Sequence, residues 1–423
     1  MQNKVKIPVS KLEPGMYISL LDRAWIETPF PFQGFVASQK DIHTLTELCR
    51  HVYIDIEKSD EKLKSGFSTG GDQHPTKVDA HNSTKHSEQQ GRPAHYGEST
   101  SVQDEFTAAK QAYRDLTKTC EELFKAATVK RKLSFLLLKQ AVTPMVESVI
   151  RNPHALLMLT RLNKKASCFY QHALSCAVLA VATGRQIGLP QNMLLDLALG
   201  ASLLDVGKVR LPSYLLTKHS RLNDDEMRQV RKHVQYSVEA AADSEHITPN
   251  VLKMIETHHE RHNGSGYPYG LCGDQIPLLG KIAGIVDSFD AITSNRPYAP
   301  QATPDEAMHL LYSRRDVDFQ SELLEQLVQS IGLYPAGNLV ELSDGRVGIV
   351  LAQHKTSALK PLVMVVLEND KRFAKDYYEC DITKHQLGKD GHPLTIGRNL
   401  QPGTYGINPV EHISNFIGES ARL

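Results

Sequence analysis

From Val102 to about residue 330 the apolar residues recur at helical spacing, and inside that stretch Ala173–Ala182 reads ALSCAVLAVA, apolar on nearly every side. An amphipathic helix buries one stripe, whereas a helix without a polar face must be surrounded by other helices. Residues 102–334 are therefore expected to form an all-α domain with that segment at its centre. A long, charged, amphipathic helix is predicted over 102–127. Others are predicted near 132–151, 154–162, 167–187, 191–204, 224–243, 248–259, 279–293, 303–312 and 318–330.

The pattern changes on both sides. In residues 1–57, Val5, Ile7 and Val9 alternate with polar residues as in a strand, and Glu13-Pro14-Gly15 is a turn before the extended run Met16-Tyr17-Ile18. Asp41–Cys49 reads as a short helix capped at Asp41, and Val52–Ile56 as a last strand. This is a small α+β module whose miniature core would draw on Trp25, Phe30 and Phe32. Residues 58–101 hold few large apolar side chains and are expected to be a flexible linker. In residues 335–423, Asn338–Leu342 and Arg346–Leu351 flank the hairpin signal Ser343-Asp344-Gly345, and Leu362–Leu367 is a third β run. A small antiparallel sheet or barrel packed on the helices is expected there, while the last forty residues are weakly patterned. The fold class is mainly α.

A chain of 423 residues is longer than one domain usually is. Its 48 basic and 48 acidic residues cancel, which argues against a protein that coats DNA or RNA. The six cysteines (Cys49, Cys120, Cys168, Cys176, Cys272 and Cys380) show no CxxC pair and no framework spacing, as expected of reduced thiols. The N-terminus lacks an apolar signal core, and no run approaches the roughly 18 apolar residues a membrane span requires, so a cytoplasmic protein is expected.

Chemistry concentrates in the helical region. The run from His258 to Tyr298 joins two adjacent histidines, a glycine-rich turn ending in Gly266-Tyr267-Pro268, and a helix bearing Asp287 and Asp290 one turn apart. His172, Asp205 and His233 precede it. Each has a bland reading alone. His172 resembles a satisfied core histidine, His233 in Arg231-Lys232-His233 a solvated face, and Asp205 before Gly207 a turn residue. One of Asp287 and Asp290 would serve as a cap or an arginine partner. Together, imidazoles and carboxylates in this order are what a water-activating divalent metal requires.

His172, then LLDVGKVRLP, LLTKHSRLNDDE, His233, HHERHNGSGYP and DSFDAITSNRPY resemble the HD-GYP family, a branch of the HD metal-dependent phosphohydrolases. The resemblance covers about residues 165–330. Residues 1–57, with PGMY, PFPFQGF and VYID, resemble a small domain of unknown function often found ahead of HD-GYP domains. The resemblance implies an HD-type helical bundle holding one or two divalent ions, iron or manganese. Asp205 would bridge, His172 and Asp287 would bind a first metal, and His233, His258 and His259 a second. Asp205 and Lys208 would carry catalysis, with Lys208 near the substrate phosphate. Gly264, Gly266, Tyr267 and Pro268 would shape a loop beside the dinucleotide, and Arg296 would contact phosphate. The implied reaction is hydrolysis of cyclic di-GMP to pGpG or GMP by a metal-activated water.

The match departs from the family at three places. Leu204 stands where the name-giving histidine would be, Cys168 where members with a third metal carry glutamate, and Ala299 where some members carry a basic residue. Leucine has no lone pair for a cation. Three readings stay open: an active phosphodiesterase with a reduced metal site, an inactive member that senses cyclic di-GMP or binds a protein partner, and a phosphohydrolase of another nucleotide. Helix 102–127 would either mediate a homodimer or pack on the helical domain.

Overall fold

The computed structural model describes residues 4–21, 35–56, 59–60, 94–163, 169–242, 247–294, 301–354, 357–384, 388 and 393–416. The chain divides into two compact units, Met1–Arg92 and Pro93–Leu423.

The first unit is an antiparallel sheet with one helix. Strands β1 (Lys4–Pro8), β2 (Tyr17–Leu21), β3 (Phe35–Val36) and β4 (His51–Asp55) take the order β1-β4-β2-β3, with α1 (Gln39–Leu48) between the last two in sequence. Ile18, Val52 and Ile54 of the sheet and Leu45 of α1 are fully buried. The helix starts at Ser38 rather than at Asp41. The Asp41 amide donates to Ser38 Oγ and the Ser38 amide to Asp41 Oδ2 at 2.9 Å, so the expected capping aspartate is the reciprocal member of a capping box. Trp25, Phe30 and Phe32 lie outside the described residues.

The second unit is helical, with a sheet at its C-terminal end. Its helices are α2 (Val102–Thr128), α3 (Phe135–Arg151), α4 (Pro153–Leu162), α5 (Phe169–Ile187), α6 (Gln191–Leu203), α7 (Ser213–Thr217), α8 (Asp224–Arg231), α9 (His233–Ala242), α10 (Pro249–Thr257), α11 (Leu278–Ile292), α12 (Pro304–Ser313) and α13 (Ser321–Ile331). A 3-10 turn, Val206–Arg210, follows α6. Helix α5 is the central one. Ala173 to Arg185 are all buried, and α5 packs against α2, α6, α11 and α13. That is where the ALSCAVLAVA segment had to go.

The expected helix over 224–243 is two helices. The Lys232 amide reaches back to both Gln229 and Val230 carbonyls, a 3-10 tightening that ends α8 and starts α9 at His233. Residues 58 and 61–93 of the expected linker lie outside the described residues. Residues 94–101 are not free of the helical body: the Tyr96 hydroxyl donates to the Leu189 carbonyl at 2.9 Å and the Ser99 amide to the Arg151 carbonyl at 3.1 Å.

Beyond α13 come β5 (Leu339–Leu342), β6 (Val347–His354), β7 (Ser357–Leu367), β8 (Phe373–Asp381), β9 (Ile396–Leu400) and a last helix, α14 (Pro409–Phe416). They form an antiparallel sheet of order β8-β7-β6-β5-β9 over a core of Val340, Leu342, Val350, Val363, Val365 and Cys380. Strand β9 and α14 fall in the weakly patterned tail. β9 is an edge strand, half exposed along its length, so no apolar alternation marks it.

The start of α2 is fixed to the end of α3 by an ion pair that is buried on its Glu105 side. Glu105 is 2% exposed, and Arg151 donates to both its oxygens at 2.8 Å. Burial alone would raise the Glu105 carboxyl, but its hydrogen bonds, that from Arg151 foremost, hold it below the usual range. The pair therefore contributes stability above pH 4.5 that is lost as pH falls through the lowered value. Arg151→Met is expected to cost on the order of 2 kcal/mol at pH 7 and less at pH 4, where the stranded carboxyl protonates. Urea unfolding at the two pH values reads this, and equal midpoints for variant and parent at pH 7 would overturn it.

Candidate metal centre

Five pieces of chain converge on one buried cluster. Helix α5 brings His172, and Cys176 one turn later. Asp205 ends the α6 segment and opens the 3-10 turn, whose Lys208 returns its ammonium to Asp205 Oδ2 at 2.5 Å. That turn lies hard against α9: a Cβ on Gly207 would sit 2.2 Å from the His233 carbonyl, so only glycine permits the approach. The Gly207 amide donates to Ser237 Oγ at 2.8 Å and locks the contact. The break before α9 supplies His233, the end of α10 supplies His258 and His259, and α11 supplies Asp287 and Asp290 on one face.

Hydrogen bonds set the imidazole tautomers. His233 Nδ1 donates to the Val230 carbonyl and His258 Nδ1 to the Ile255 carbonyl, each at 2.7 Å. Both therefore turn an Nε2 lone pair inward. His233 Nε2 is 3.1 Å from His259 Nε2 and 3.4 Å from Asp205 Oδ1. His258 Nε2 and Asp205 Oδ1 have no hydrogen-bond partner among the described residues, although His258 is fully buried and Asp205 is 1% exposed.

Electrostatics divide the histidines into two kinds. Burial pushes His233 down to about 4 and lowers His258, while His259 falls well below its ordinary value through burial and the neighbouring imidazoles. All three are neutral donors near pH 7. His172 is the opposite. Its Nε2 is 2.9 Å from Asp287 Oδ1 and its Nδ1 2.7 Å from Asp290 Oδ2. Burial opposes its charge, but Cys176 and the carboxylates of Asp287 and Asp290, one at each ring nitrogen, outweigh it and raise His172 well above its ordinary value. Asp205, despite burial, is held far below the usual carboxylate range by Lys208, His233 and His172, and Asp287 is held at about 2 against its burial, chiefly by His172.

The ligand atoms of Asp205, His233, His258 and His259 lie within 4.8 Å of one another, as do those of His172, Asp205 and Asp287, so Asp205 is common to both groups. Buried lone pairs without donors and ionised carboxylates fit a divalent cation. A third group, His172, Cys176 and Asp290, is equally close. There the Cys176 sulfur is 3.7 Å from both ring nitrogens of His172, and burial pushes its thiol up to about 11. The partnership of Cys176 and Asp290 with His172 was not expected. The signal was in the spacing, because each lies one helical turn from an anticipated ligand.

The loop after His259 wraps the open side. Glu260, 4% exposed, accepts from the Tyr269 and Leu271 amides at 2.7 and 3.0 Å and holds the loop in shape. Gly264 takes φ +79°, and a Cβ on Gly266 would lie 2.4 Å from the Arg261 amide nitrogen, so the turn can close only on glycine there. Tyr267, joined to Pro268 by a cis bond, stacks on His259 with ring centroids 4.6 Å apart. Leu204 is 2% exposed beside Asp205. Cys168, Arg296 and Ala299 lie outside the described residues.

The family model described as HD domain matches residues 157–323, and that of the domain of unknown function DUF3391 matches residues 4–135. The cyclic di-GMP phosphodiesterase PA4108 of Pseudomonas aeruginosa is 31% identical over 85% of this chain and 84% of its own length. The cyclic di-GMP phosphodiesterase response regulator RpfG of Xanthomonas campestris is 36% identical over 34% of this chain and 38% of its own. Among solved structures, Bd1817, an HDG"Y"P protein of Bdellovibrio bacteriovorus, superposes with a TM-score of 0.44 at 17% identity, covering 77% of this chain and 98% of that one. The chain is an HD-domain protein preceded by a DUF3391 module. Within that class it belongs to the HD-GYP family. No helix among the described residues is long and apolar enough to cross a membrane.

Asp205→Ala removes the carboxylate common to both groups. It is expected to abolish bound divalent metal, read by elemental analysis of the purified protein. Full metal content in a folded variant would place the cation elsewhere.

Proposed function

We propose that the protein is a metal-dependent phosphodiesterase that hydrolyses cyclic di-GMP to pGpG or GMP. The observation that carries this reading is the buried carboxylate Asp205, shared by two groups of converging donors beneath the Tyr267 loop. In this reading Asp205 would be shared by two ions, with His172 and Asp287 as the further donors to one and His233, His258 and His259 to the other. Iron or manganese suits a set of imidazoles and carboxylates. When bound, such cations lower the proton affinity of water and offset charge on phosphoryl oxygens.

The remaining work falls to side chains of this protein. Asp205 keeps Lys208 beside the donor set, where the ammonium would meet a phosphate oxygen of the substrate. His172 must give up a proton to become a ligand, so loading of its side is coupled to proton release. Gly264, Gly266, Tyr267 and Pro268 would form the wall against the dinucleotide. Arg296, a proposed phosphate contact, is outside the described residues. Leu204 leaves the His172 side with three protein donors, which favours a weaker ion there. Turnover is supported over mere sensing by the relatives, whose names describe cyclic di-GMP phosphodiesterases. Three relatives from Vibrio cholerae are named 3'3'-cGAMP-specific phosphodiesterases, and one of them is 39% identical over 30% of this chain. The mixed dinucleotide therefore belongs in any test.

Protein loaded with Mn²⁺ or Fe²⁺ is expected to release pGpG from cyclic di-GMP, with a lower rate on 3'3'-cGAMP, followed by chromatography. Absence of product from either at stoichiometric protein would remove the catalytic reading. Leu204→His is expected to raise the metal bound per chain and the rate with it. Unchanged metal content in that variant would show that Leu204 does not face the ions.

A further inference from the structure

We propose that Arg231 is a substrate-binding residue that takes a non-reacting phosphate of the dinucleotide. The inference rests on the phosphodiesterase reading and deepens it. Arg231 is the last residue of α8, two positions before His233. It is exposed, and its guanidinium lies over the Tyr267 ring, 4.7 Å from the centroid. Tyr267 in turn stacks on His259, with planes 25° apart. A cation, a phenol ring and an imidazole thus form one stack that runs from solvent to the imidazole cluster.

Among the described residues, Lys208 and Arg261 are cations near the cluster that are already engaged. Lys208 is paired with Asp205. Arg261 donates to the His258 and Glu260 carbonyls at 3.2 and 2.9 Å and covers the Phe319 ring. Arg231 has no carboxylate partner among the described residues. It lies over the Tyr267 ring with no carboxylate on it among those residues, and its donor fork is open to phosphate oxygens, which such a fork binds in pairs. Stacking also orders the side chain in advance, so less rotamer freedom is lost when an anion arrives. A cyclic dinucleotide carries two phosphodiesters, only one of which is cleaved in a given event. The second needs a cation that the metal ligands cannot supply, and Arg231 sits at the rim of the cluster with a charge to offer.

The test uses the full chain loaded with Mn²⁺. Arg231→Ala and Arg231→Gln are expected to weaken cyclic di-GMP binding tenfold or more by calorimetry and to raise KM by a similar factor, with the loss carried by KM. Metal content and thermal midpoint are expected to match the parent. Arg231→Lys, which keeps the charge but not the fork, is expected to fall between. Parent-like affinity in both the alanine and the glutamine variants would overturn the assignment, as would a loss explained by missing metal. Parent protein that binds the dinucleotide without cleaving it would refute the phosphodiesterase reading and leave the Arg231 result legible.

Discussion

A carboxylate that is 1% exposed, with one oxygen lacking a hydrogen-bond donor among the described residues, is among the most costly groups a helical core can contain. Asp205 is ionised there because Lys208 reaches it from the same 3-10 turn and imidazoles surround its other side. Much of the local architecture answers to that group. Gly207 lets the turn approach α9, the tightening at Lys232 turns His233 inward, and the end of α10 delivers His258 with its Nδ1 already satisfied by backbone. Because the carbonyls of Val230 and Ile255 fix those rings, the inward lone pairs exist before any cation arrives.

The helical bundle was legible in the chain because its periodicity is strong, and the apolar ALSCAVLAVA segment could only be central. The cluster was legible for another reason. His172, Asp205, His233, His258, His259 and Asp287 stand at helix ends or on buried faces, where sequence pattern and position constrain side-chain direction. What escaped was set by contacts remote in sequence. The break at Lys232 depends on local tightening that no residue type demands, since a charged amphipathic run continues through it. Strand β9 pairs with β5 from some sixty positions away, and its half-exposed residues bear no alternation. One of Asp287 and Asp290 was expected to be a cap or an arginine partner, whereas both face His172, Asp290 at its Nδ1.

That last contact bears on the missing histidine. His172 is gripped from both ring nitrogens, by Asp287 and by Asp290. When protonated in this grip the ring has no lone pair, and a cation on its Nε2 must displace a proton and separate it from Asp287. Asp290 can retain the Nδ1 proton through this change, which fixes the tautomer a ligand needs. The side of His233, His258 and His259 has no such proton to lose, because burial already keeps those rings neutral.

The two halves of the proposed centre are thus unequal before Leu204 is considered. One is preformed and neutral, and the other exchanges a proton for an ion and has one donor fewer. Substituting leucine for histidine beside Asp205 therefore removes a ligand from the half that is already the harder to fill. The preformed half, the shared Asp205 and the Tyr267 loop do not depend on position 204 for their geometry, since backbone carbonyls, Lys208 and Glu260 hold them. In the proposed reading, a chain built this way holds an ion less tightly on one side while the donors of the other keep their places. The departure from the family pattern leads, in that reading, to weak occupancy at the His172 side rather than to collapse of the site.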